Sequence, residues 1–135
     1  MRSLVVLLAA AAVLAGCGTN SSPSGDDGAG VDVKITVRSD EAAQPTVMTL
    51  TCDPAGGDHP NGEAACAALR SAPVEVFDPV PENQPCTMIY GGPQTATLTG
   101  TIDGRTIDAS FSRKNGCEID RWDTLGTEVF DVPLQ

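Results

Sequence analysis

Apolar and polar residues alternate without a break from Val31 to Arg38, with Val31, Val33, Ile35 and Val37 on one side and Asp32, Lys34, Thr36 and Arg38 on the other. That period of two predicts a half-buried strand. Val47 to Cys52 predicts a second one. The sharpest pattern is QTATLTGTIDGRTIDASFS, residues 94–112, which predicts a hairpin turning at Asp103-Gly104. In that register Ala96 faces Phe111, Leu98 faces Ala109 and Gly100 faces Ile107, so the apolar residues share one face; a slip of one residue loses the agreement. Gly126 to Val132, GTEVFDV, predicts a last strand. Between the second strand and the hairpin the pattern changes. A turn-rich start, CDPAGGDHPNG, leads into EAACAALR, where Asn61 is placed as an N-cap and Glu63 to Arg70 as a short helix carrying Cys66 and Leu69 inward. Asp120 to Leu125 adds a helical turn. The expected fold is α+β: a five-stranded antiparallel sheet with one or two short helices and two disulfides.

The N-terminus follows neither period. Met1-Arg2-Ser3 precedes an unbroken apolar run from Leu4 to Leu14, then Ala15-Gly16-Cys17. One positive charge, a short apolar core and small residues before the cut describe a secretory signal over residues 1–16, too short for a membrane-spanning mature helix. The Leu14-Ala15-Gly16-Cys17 stretch resembles a bacterial lipobox, which implies lipidation of Cys17 and a cell-envelope lipoprotein, held in the membrane only by its lipid or shed outside the cell. An ordinary signal cut near Ala15 is the plainer alternative. Residues 18–30, GTNSSPSGDDGAG, offer almost nothing to bury, so 17–30 is expected to be a tether and 31–135 one domain.

Net charge is −10, and loss of Arg2 with the signal leaves 7 basic against 18 acidic residues. That balance argues against nucleic acid and against anionic lipid surfaces as partners. With Cys17 lipidated, Cys52, Cys66, Cys86 and Cys117 remain, an even number in an exported chain. Three pairings are open. Pairing sequence neighbours closes loops for which the chain-entropy relation assigns about 3 and roughly 3.7 kcal/mol. CxxC spacing is absent, so the cysteines point to neither zinc nor redox chemistry, and no metal or cofactor is expected.

The sequence also lacks the marks of catalysis. His59, the single histidine, precedes Pro60 in a turn and reads as a side chain bonded to nearby backbone. There is no Gly-x-Ser-x-Gly elbow, HExxH or phosphate loop, and the carboxylates are scattered. Attention therefore falls on QPCTMIYGGP, residues 84–93. Pro79, Pro81 and Pro85 stiffen one approach, and Gly91-Gly92-Pro93 delimits the other. Met88, Ile89 and Tyr90 between them are either core residues of a strand entering the hairpin or an apolar segment offered to a partner's cleft. Composition leaves the two readings level.

The stretch CDPAGGDHPNGEAACAAL, Cys52 to Leu69, resembles the signature of the Streptomyces subtilisin inhibitor family, with its cysteine, proline, glycine, His-Pro pair, Ala-Cys and following leucine. The resemblance extends through Cys86-Thr87-Met88-Ile89-Tyr90, SRKNGCE at 112–118 and EVF at 128–130. It implies a substrate-like inhibitor of extracellular serine proteases, subtilisin-like or chymotrypsin-like, and not an enzyme. Carried over by position, the reactive loop is Cys86 to Gly91, Met88 the primary specificity residue and Met88–Ile89 the reactive bond. The resemblance also implies disulfides Cys52–Cys66 and Cys86–Cys117, and homodimers formed through the sheet face away from the loop. The chain departs from the family in its lipobox, in the proline-rich APVEVFDPVPENQP, and at Gly91-Gly92, where two glycines are expected to loosen the loop. A cell-surface binding lipoprotein that keeps the scaffold without tight inhibition is the rival reading. An accessible Met88 favours inhibition; a buried one favours the scaffold alone.

Overall fold

In a computed structural model the described residues are 30–132. The signal at 1–16, Cys17 and all but the last residue of the tether lie outside them. β1 (Val31–Arg38), β2 (Thr46–Cys52) and β3 (Gly56–Gly57) are followed by α1 (Gly62–Ser71), a 3₁₀ turn (Val74–Phe77), the hairpin β4 (Thr95–Ile102) and β5 (Arg105–Ser112), and α2 (Gly116–Phe130). The sheet runs β3-β2-β1-β4-β5, and every neighbouring pair is antiparallel.

The hairpin has the register that its pattern predicts, with Ala96 opposite Phe111, Leu98 opposite Ala109 and Gly100 opposite Ile107. Asp103 and Gly104 both take positive φ, 47° and 80°, as a two-residue turn matched to strand twist requires. The apolar face of β1 is buried throughout while Asp32, Lys34 and Arg38 face solvent. Both helices cover that inner face. Ala65 and Leu69 from α1 and Trp122, Leu125, Val129 and Phe130 from α2 are each at most 1 % exposed. Full burial of the leucine, valine and phenylalanine side chains among these stabilises by about 1.5–3 kcal/mol apiece. Trp122 and Phe130 are in ring contact, centroids 4.3 Å apart.

Three expectations change. GTEVFDV is not a strand: α2 continues to Phe130 across a break at Gly126, whose φ of 69° and ψ of −168° restart the helix in a new direction. Trp122, Leu125 and Val129 fall at helical spacing on one buried stripe, and that stripe outweighs the local β-like composition. The fifth strand is instead Gly56–Gly57, paired with Thr51 and Leu50. Two glycines carry no periodic signal, yet a Cβ on Gly57 would collide with the Thr49 carbonyl. Asn61 stands at the N-cap of α1 but its side chain makes no cap bond; its Nδ2 reaches Asp131 Oδ1 at 3.4 Å.

His59 does bond nearby backbone, but it spans far more of the chain than a turn residue is expected to. Its Nδ1 accepts from the Asn61 N–H at 3.0 Å, which leaves the proton on Nε2 to donate to Val129 O at 2.9 Å. The signature turn is thereby fixed to the end of α2.

Candidate reactive loop

The loop between the 3₁₀ turn and β4 occupies residues 78–94 and has no regular structure apart from a short turn, Gln84 N donating to Pro81 O at 3.0 Å. Its approach is anchored by side chains the sequence hides among prolines. Val76 and Phe77 are buried, Arg121 Nε of α2 donates to Val76 O at 3.0 Å, and Arg105 pairs with Asp78 at 2.8 Å.

Both disulfides join sequence neighbours: Cys52 to Cys66 and Cys86 to Cys117. The first fastens α1 to β2. The second fastens the loop to the first turn of α2. Next to it Gly116, the first residue of that helix, donates its N–H to Thr87 O at 2.9 Å. A helix's first N–H groups have no partner within the helix, so the loop carbonyl satisfies one of them. The side chain of Asn115 caps the same end by accepting from Glu118 N at 3.0 Å. The approach is close enough that a Cβ on Gly116 would collide with Thr87 Oγ1.

On the far side the loop is held by Gly91. Its N–H donates to Arg113 O at 2.7 Å, and its carbonyl accepts from Arg113 Nε at 3.0 Å. The expectation that Gly91-Gly92 loosens the loop is therefore reversed. A Cβ on Gly91 would approach Ile119 Cδ1 to 2.8 Å, and Gly92 takes a φ of 131°, so the glycines permit tight seating against β5 and α2.

Three residues remain between the two anchors. Met88 is 91 % exposed, Ile89 62 % and Tyr90 67 %, which resolves the open choice between core strand and displayed segment in favour of display. Three consecutive large side chains turned to water are unfavourable for an isolated domain, which makes this segment the candidate interaction site. Among the described residues no group of three or more His, Cys, Asp or Glu side chains is placed to hold a metal ion.

Sequence reasoning put Cys86, Thr87, Met88, Ile89, Tyr90 and Gly91 on one loop tied to Cys117, and the structure has that disulfide. It missed the supports Arg113, Gly116 and Asp123. SRKNGCE contains Arg113 and Gly116, but nothing in it says that Arg113 turns inward to a 9 % exposed position.

A disulfide-stapled α+β domain that displays a short apolar segment between two fixed points defines a loop-presenting scaffold. Known proteins narrow that class. The family described as Subtilisin inhibitor-like matches residues 29–115. Subtilisin inhibitor-like protein 1 of Streptomyces cacaoi is 40 % identical over 88 residues, which cover 60 % of this chain and 76 % of that one. Subtilisin inhibitor-like protein 8 of Streptomyces virginiae is 38 % identical over 87 residues, covering 58 % and 76 %. Among solved structures, the chain is similar to Streptomyces caespitosus sermetstatin in its complex with Bacillus licheniformis subtilisin, at 24 % identity and a TM-score of 0.45, over 73 % of this chain and 94 % of that one. The chain belongs to the subtilisin inhibitor-like family, a family of inhibitors and not of enzymes.

Proposed function

We propose that this protein is a substrate-like, tight-binding inhibitor of extracellular subtilisin-like serine proteases, with Met88–Ile89 as its reactive bond. The observation that carries the reading is the display of Met88, 91 % exposed, between one anchor at Cys86-Thr87 and another at Gly91. In a protease cleft Met88 fills the first specificity pocket with a flexible apolar side chain. The serine attacks the Met88 carbonyl, and the Ile89 amine becomes the leaving group. Ordinary substrates lose that amine to solvent before water attacks the acyl-enzyme. Here both new ends stay tied to α2 and β5, so the amine remains beside the ester and religation competes with hydrolysis. A loop already ordered before docking also loses less entropy on binding.

The two disulfides fit an exported protein. The reading is completed by a signal peptide at 1–16, lipidation at Cys17, a tether to residue 30 and the inhibitory domain from 31, so that the inhibitor guards the envelope to which it is anchored. Pairing of two copies through the solvent face of the sheet belongs to the same proposal. Mass analysis of the protein after long incubation with subtilisin tests the bond assignment. Cleavage confined to Met88–Ile89 is expected; a first cut elsewhere in the loop refutes it.

A further inference from the structure

Arg113 follows the last residue of β5 and contacts the loop twice, through its backbone carbonyl to Gly91 N at 2.7 Å and through Nε to Gly91 O at 3.0 Å. One residue thus uses both polar groups of Gly91. The guanidinium is itself held. Its Nη1 pairs with Asp123 Oδ1 of α2 at 2.8 Å, its side chain is only 10 % exposed, and it lies over the Trp122 ring at 6.0 Å from the centroid. Trp122 is fully buried. A charge this secluded is stable only while paired, so leaving Gly91 or Asp123 is unfavourable for Arg113. Gly91, by lacking a Cβ, admits the guanidinium and Ile119 together.

We propose that Arg113, braced by Asp123 and Trp122, is the positioning residue that retains the leaving-group side of the reactive bond. This rests on the assignment of Met88–Ile89. The Cys86–Cys117 disulfide secures the acyl side covalently, whereas the described residues hold the other side near the bond by the Arg113 contacts. In the acyl-enzyme step the serine oxygen bonds the Met88 carbonyl carbon, the Met88–Ile89 C–N bond breaks, and the serine proton passes by way of the protease histidine to the Ile89 nitrogen. Religation runs the same transfers backwards; water in place of the amine leaves Met88 with a carboxylate. Only Ile89 and Tyr90 separate the new amine from Gly91, a reach of about 7 Å at 3.3–3.6 Å per residue. A fixed Gly91 therefore keeps the amine within striking distance. A freed one extends the loose segment toward the hairpin, and hydrolysis gains.

The test compares Arg113→Met, Asp123→Asn and Arg113→Lys with Arg70→Met, which removes a guanidinium paired with Asp53 in the last turn of α1, outside the loop and its supports. Each purified protein is incubated with catalytic subtilisin, and the chain cut at Met88–Ile89 is followed by mass. Melting temperature and the backbone order parameters of residues 88–92 are measured on the free proteins. Arg113→Met is expected to accumulate cut chain about 10–100-fold faster than the wild type, as loss of near-attack geometry predicts. Its loop order parameters fall below about 0.6. Asp123→Asn and Arg113→Lys are expected to fall between, and Arg70→Met to match the wild type whatever its melting temperature. Wild-type cutting rates and loop order in Arg113→Met overturn the inference. So does an equal rise in Arg70→Met, which traces the effect to global stability. Should Arg113→Met not fold, Asp123→Asn decides, with a wild-type rate counting against the brace. A wild-type protein that forms no complex with subtilisin refutes the reactive-bond assignment and this inference with it, whereas inhibition by the wild type without contrast among variants refutes only the role of Arg113.

Discussion

Met88 contributes almost nothing to the folded core, so its identity is free to serve a partner. Met88→Lys is expected to leave stability within about 0.5 kcal/mol, the ordinary range for an exposed position. On the proposed assignment the same change raises affinity for trypsin by roughly two orders of magnitude or more, because a buried carboxylate in that pocket then finds a charged partner. Inhibition constants for trypsin and subtilisin, with a thermal melt, check both halves; a trypsin constant that does not move contradicts the assignment. Gly116 is the opposite case, a residue defined by what it lacks. Gly116→Ala forces Thr87 away and lengthens the Thr87 O to Gly116 N bond, so weaker inhibition of subtilisin with only a modest loss of melting temperature is expected. Asp58 allows a prediction about pH. Hydrogen bonds to its carboxylate, first from the Thr49 backbone N–H at 2.6 Å and then from Thr49 Oγ1 at 2.9 Å, hold its pKa below the ordinary 3.8. A folded-state pKa lowered in this way adds stability that is present above the unfolded value and lost as pH falls through the folded one. Melting temperature should therefore fall more steeply below about pH 4 in the wild type than in Asp58→Ala. Parallel acid profiles would show that the Thr49 bonds add nothing.

At the scale of elements, the loop depends on α2 more than on its own residues. That helix supplies Cys117, the Gly116 N–H, Asp123 and the Arg121 side chain that reaches Val76. Replacing Cys86 and Cys117 by alanine together is expected to destabilise the protein by about 3.7 kcal/mol on the chain-entropy relation. It should also turn inhibition into turnover, with cut chain accumulating within minutes under subtilisin. A double variant that melts lower yet inhibits as long as the wild type would place retention of the acyl end in the hydrogen bonds alone. The strands that carry this assembly were plain in the sequence wherever one face is wet. β1 and the hairpin alternate cleanly because their outer residues meet water and their inner residues meet the helices. α2 was half legible. Asp120 to Leu125 reads as helix, but Gly126 interrupts the pattern, and Val129-Phe130 looks like strand until the partner face is known. The Gly56–Gly57 strand could not be read, since its signal is the absence of side chains beside the Thr49 carbonyl. The displayed residues were visible as a group, and the resemblance assigned their roles. Arg113 was not visible, because its importance lies in the direction its side chain takes between Gly91 and Asp123.

Considered as a whole, the molecule separates what must be rigid from what must be read. The sheet and the stripe from Trp122 to Phe130 form a core too well packed to shift by small amounts, and the loop is fastened to that core on both sides of Met88-Ile89-Tyr90. Inhibition is tested most simply by titration of active-site-quantified subtilisin with the purified protein. Inhibition at Met88–Ile89 predicts a linear loss of protease activity to an endpoint of one inhibitor site per enzyme, with that bond cut only slowly in the complex. Residual activity that stays undiminished at a large excess of the protein, or rapid cleavage with full recovery of activity, would contradict it.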